Sequence, residues 1–148
     1  MIVAKFLHVM SVVIWVGGMF FAYVALRPVA AERLEPPQRL NLWEGVFSRF
    51  FTWVWLAVAL LLGSGLYMMA QLGKPPVYVM MMFGLGTLMM LLYAHVFFAP
   101  YQRLKRAVAA QDWPAGGVAL AQIRKAVGIN LLLGLLTVTV ATLGVYLG

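Results

Sequence analysis

A chain of 148 residues that is 64% hydrophobic and only 10% charged carries more apolar surface than a fold of this length can bury in its own core, so lipid must cover much of it. There are no cysteines, which excludes disulfides, thiolate metal sites and thiol chemistry. The formal charge of +7 is accounted for by cations gathered in loops beside anionic lipid, and nucleic-acid binding is not expected.

Crossing a bilayer takes about 20 mostly apolar residues. Four stretches qualify, at about 2–26, 51–70, 78–98 and 126–147, and none contains Asp or Glu. The expected fold is all-α and integral to the membrane: an antiparallel four-helix transmembrane bundle forming a single domain over 1–148. In the first stretch Lys5 lies close enough to the end to snorkel. The apolar run is longer than a signal-peptide core and holds His8, Ser11 and Trp15, so a retained span is expected rather than a cleaved leader. His8, Ser11, Trp15, Gly18 and Ala22 follow one another at spacings of 3 and 4. They form one stripe, expected to face the bundle interior.

Past the first span, Pro36-Pro37 opens a segment in which Leu40, Trp43, Phe47 and Phe50 share one face. That face is suited to lying on the membrane surface before the chain turns into span two. Met68 and Met69 lie near the far end of span two, Gly73-Lys74-Pro75-Pro76 reads as a tight turn, and Met80, Met81 and Met82 follow in span three. His95 lies toward the other end of span three. Asp112-Trp113-Pro114 reads as a helix start, with an N-capping side chain and a proline in the first turn. Asn130 sits near the start of span four. Glycines from Gly17 and Gly18 to Gly144 and Gly148 accompany the spans. They allow close helix packing or room for a flat cofactor, and packing is the expected reason.

Nine of the 11 Lys and Arg fall between Arg27 and Phe50 or between Ala99 and Lys125. The positive-inside rule therefore places these two loops in the cytoplasm and both termini outside. A bacterial inner-membrane location follows as the expectation, N-out and C-out.

Ionisable groups within spans are costly and point to function. His8 and His95 are the two histidines. Helical rise separates their depths by about 16 Å, too far for both to ligate one haem in a monomer. By the same count His8 shares a leaflet with Met68, Met69, Met80 and Met81. Soft thioethers with an imidazole suit Cu(I), and a His/Met pair also suits haem iron. His95 and Asn130 come to similar depths and read as a second polar site, with Tyr93 and Arg124 nearby. No carboxylate pair, phosphate-binding loop or Ser/His/Asp set can be assembled within the spans.

The run Leu7-His8-Val9-Met10-Ser11 through Trp15-Val16-Gly17-Gly18-Met19-Phe20 resembles the first helix of the CopD-like family, named for copper resistance. Phe47-Ser48-Arg49-Phe50, Ser64-Gly65-Leu66-Tyr67 and the run from Ile123-Arg124-Lys125 to Asn130 and Leu135 are similar to later parts of the same family. His8, Ser11, Trp15, Gly18, His95 and Asn130 also resemble the pattern of HemJ, a membrane protoporphyrinogen oxidase family associated with haem b. After span one, however, Ala22-Tyr23-Val24-Ala25-Leu26 lacks the Tyr- and His-rich run expected there. The first resemblance implies copper handled at His8 with Met68, Met69, Met80 or Met81. The second implies a haem b redox protein in which His8, Ser11, Trp15, His95 and Asn130 surround the cofactor and quinone or porphyrin exchanges electrons. A third reading is a structural or assembly subunit of a membrane complex. The exposed apolar faces would permit a homodimer or a larger assembly.

Overall fold

Apolar helix-forming runs, interrupted near prolines, at Gly73 and at Gln111, fold into long helices, in a computed structural model that describes residues 1–147; Gly148, the last of the glycines noted above, lies outside them. The chain runs α1 (Ile2–Phe20), a π-helical turn (Phe21–Leu26), α2 (Arg27–Arg33), α3 (Pro36–Leu72), α4 (Val77–Phe98), α5 (Pro100–Ala109) and α6 (Trp113–Leu147). Four continuous helical stretches, Ile2–Arg33, Pro36–Leu72, Val77–Ala109 and Trp113–Tyr146, are long and apolar enough to cross a membrane. The fold is therefore the all-helical membrane bundle expected.

The breaks have local causes. Pro28 has no N–H to give the carbonyl of Val24, and the helix widens into the π turn just before it. Gly73 ends α3 at φ +70, a left-handed geometry that favours glycine. Ala99 departs from helical geometry just before Pro100 opens α5, and its N–H still reaches the His95 carbonyl at 2.9 Å. At the start of α6 the Ala115 N–H donates to Asp112 Oδ1 at 3.2 Å, the N-cap that the sequence predicts.

The basic segments gather at one end of the bundle. The start of α1, the last turns of α6 and the Gly73 turn gather at the other. Along the bundle α1 packs chiefly on α3 and α4 chiefly on α6, whereas α3 and α4, although consecutive in the chain, meet mainly through aromatic side chains. The densest packing is aromatic and lies toward the basic end. Phe51, 4% exposed, stacks on Phe47 with centroids 5.1 Å apart and meets Tyr93 and Tyr101 edge-on at 5.4 and 5.0 Å. Tyr93 in turn donates its hydroxyl to the Phe51 carbonyl at 3.1 Å. This bond ties α4 to α3, and it satisfies a polar group that would be costly inside hydrocarbon.

One expectation is corrected. The face of Leu40, Trp43 and Phe47 does not lie on the membrane surface before a turn into span two. α3 runs unbroken from Pro36, and these residues are buried in the protein core. The edge of Tyr101 in α5 meets Phe47, and Gly116 in α6 lies against Leu40. An apolar helical face has the same periodicity whether lipid or another helix covers it.

Glycines are where helices approach most closely. A Cβ built on Gly18 would overlap the Phe50 ring, and one on Gly134 would come within 3.0 Å of Val16. One on Gly144 would lie 2.7 Å from Tyr78. These spaces are filled by protein side chains, as expected for packing. Gly18→Val should therefore force α1 and α3 apart, costing about 1–3 kcal/mol. The check is the thermal unfolding midpoint in detergent, which should fall. Gly17→Val serves as the control, because a Cβ there meets nothing within 4 Å.

Candidate functional site

The expected stripe on α1 does turn inward. Ser11 and Trp15 are each 2% exposed and Ala22 is buried, while His8 is half-buried. Ser11 donates to the Leu7 carbonyl at 2.7 Å, satisfying its hydroxyl within its own helix. The edge of Trp15 meets Tyr93, with centroids 6.1 Å apart.

His8 finds its partner across the helix interface. Its Nδ1 lies 3.1 Å from Ser64 Oγ on α3. Ser64 is buried, and its hydroxyl donates to the Leu60 carbonyl at 2.6 Å. A hydroxyl has one proton to give. With that proton engaged by Leu60, Ser64 can only accept from His8. That arrangement matches the imidazole tautomer with its proton on Nδ1, in which Nε2 carries the lone pair. Gly65 borders the ring: a Cβ there would sit in ordinary contact, 3.4 Å from His8 Cε1. Ser64, the partner of His8, is a residue that inspection of the spans for ionisable groups misses. The available signal is that it is a lone hydroxyl between Gly63 and Gly65 in an otherwise apolar stretch.

The methionines divide. Met68 follows Ser64 by four residues and so stands on the same face of α3, one turn nearer the end that carries the termini. Met68 and Met69 are half-buried, whereas Met80 and Met81 are each 50% exposed on α4. Among the described residues no three His, Asp or Glu side chains converge as a metal-holding group.

The second expected polar site is not assembled. Asn130 is buried and donates Nδ2 to the Met89 carbonyl at 3.3 Å, whereas His95 is exposed on α4. The inward residues of α4 are Met89, Tyr93 and Val96; His95, one position before Val96, points elsewhere. Tyr93 is committed to the Phe51 carbonyl and Arg124 is exposed. Asn130 Oδ1 is buried without a hydrogen-bond partner beside a cavity of about 20 Å³ that Trp15, Tyr93 and Asn130 help to line. That is room for a single water, not for a porphyrin. A larger cavity of about 290 Å³ lies at the basic end, and neither cavity is lined by a histidine. With Gly18, Gly128, Gly134 and Gly144 already filled by neighbouring side chains, these residues do not fit a haem between the helices.

The family described as copper resistance protein D matches residues 44–143. The match takes in Ser64, Met68 and Asn130 and begins beyond His8. No curated protein and no solved structure matches.

Proposed function

This chain belongs to the copper resistance protein D family, a multi-pass membrane protein related to copper resistance, and from that premise we propose that it handles Cu(I) as cargo at His8. The observation that carries this reading is the hydrogen bond from His8 Nδ1 to Ser64 Oγ. Holding the far nitrogen of the ring orients a histidine and fixes its tautomer, which is how metal-ligating imidazoles are prepared. The free Nε2 is a borderline ligand, and the thioether of Met68 is a soft one suited to Cu(I). Met68 enters the reading because it shares a helix face with Ser64, and Met69 is the alternative sulfur one position on. Met80 and Met81 take no part in it, because their side chains face outward.

The reading also takes an orientation. The cationic segments lie at the end opposite His8, so the positive-inside rule sets that end in the cytoplasm and His8 toward the outer face of a bacterial inner membrane. Copper would then meet His8 from outside. His95 and Asn130 are not needed as ligands.

The test is a Cu(I) titration of the detergent-purified protein against a chromogenic Cu(I) chelator. Ser64→Ala should weaken Cu(I) binding by about 10–100-fold, the usual cost of losing an outer-shell partner. Met68→Leu keeps the apolar volume but removes the sulfur, and it too should weaken binding. Wild-type affinity in both variants would contradict the site.

A further inference from the structure

The cavity of about 290 Å³ at the basic end is separate from the His8 region. It is bounded by residues of the π turn, α2, the start of α3 and the first turns of α6. Three arginines line it, Arg27, Arg39 and Arg124, and its lining includes no Asp or Glu. The Arg27 Cζ sits over the Tyr23 ring, 4.5 Å from its centroid, and Nε donates to the Tyr23 carbonyl at 3.1 Å. Gly128 makes this possible, because a Cβ there would press on the Tyr23 ring at 2.9 Å. Arg39 reaches the Ala31 and Leu34 carbonyls through Nη1 at 3.4 Å. Both arginines are thus held by backbone and still have N–H groups to offer. Three like charges facing one cavity without a carboxylate repel one another, and an anion there would relieve that repulsion.

The surroundings say what kind of anion. Arg27 directly follows the apolar stretch 2–26, and Arg124 shortly precedes the stretch 126–147. Both therefore stand where hydrocarbon gives way to headgroups. The remaining walls are apolar and aromatic, including Trp43 and Trp113, residues suited to the same interface. A phosphate could take the guanidinium donors while an acyl chain lay along those walls.

We propose that this cavity binds the phosphate headgroup of an anionic phospholipid. The site is independent of copper binding at His8. The test is native mass spectrometry of the full-length protein in detergent, incubated with equal amounts of phosphatidylglycerol and phosphatidylcholine. Wild type should retain the anionic lipid in preference by about tenfold or more. Arg124→Gln, at an exposed position, should remove that preference. So should Gly117→Leu, which keeps every charge but fills open cavity space, because a Cβ on Gly117 meets nothing within 4 Å. The double variant Lys105→Gln/Arg106→Gln removes two exposed charges that do not line the cavity and should bind as wild type does. Equal retention of the two lipids by wild type would overturn the proposal. So would an undiminished preference in Arg124→Gln and Gly117→Leu, or a loss in the Lys105/Arg106 double variant matching theirs. Added inorganic phosphate separates the two sources of the same chemistry: full displacement of the lipid at equal concentration would assign the cavity to free phosphate and overturn the lipid reading.

Discussion

Replacing His8 with alanine should abolish measurable Cu(I) binding, a larger loss than the roughly 10–100-fold expected for its outer-shell partner Ser64. The difference follows from what each residue supplies. In the proposed site Ser64 bonds Nδ1 and orients the ring, whereas His8 would supply the ligating Nε2 lone pair itself. Among the described residues no His, Asp or Glu cluster stands ready to take over the metal. The same substitution should leave the fold nearly intact, because His8 is only half-buried and the close α1–α3 contact depends on Gly18 against Phe50. The pairing of outcomes is therefore specific: Cu(I) affinity collapses in the chelator competition while the thermal midpoint stays close to that of wild type. An unchanged affinity would remove His8 from the account. Loss of both affinity and fold would assign His8 a structural role.

The largest stability effect should come from Phe51→Ala, at about 3–5 kcal/mol. The Phe51 ring touches neighbours on three helices: Phe47 and Phe50 on α3, Tyr93 and Phe97 on α4, and Tyr101 on α5. Removing it opens a cavity among rings that cannot all collapse inward. It also loosens the packing that aligns Tyr93 with the Phe51 carbonyl. The measurement is reversible unfolding in mixed micelles. Val13→Ala, on the exposed face of α1, should change far less, because lipid replaces the lost contacts.

Both effects rest on features that differ in how far they can be read from sequence. The four spans follow from apolar length alone, because backbone groups in lipid must bond within a helix. The inward stripe of α1 was legible because Ser11, Trp15 and Gly18 mark one face among branched apolar residues. α4 carries no such mark. It is apolar on every side, so nothing in its periodicity says that Met89, Tyr93 and Val96 point inward while His95, Met80 and Met81 point out. Depth can be counted from helical rise, but azimuth cannot, and depth alone is what pairs His95 with Asn130. The burial of the Leu40–Phe47 face is hidden for a related reason, since that face would look the same against lipid as against α5 and α6. The role of Ser64 depends on which helices are neighbours, and α3 lies beside α1 rather than closely against α4.

The most direct measurement is X-ray absorption at the copper edge on the full-length protein loaded with one equivalent of Cu(I) and freed of excess metal. The account predicts bound copper with both nitrogen and sulfur scatterers, the nitrogen lost in His8→Ala and the sulfur lost or diminished in Met68→Leu. Copper that washes away from the wild-type protein, or a ligand shell unchanged in His8→Ala, would contradict it.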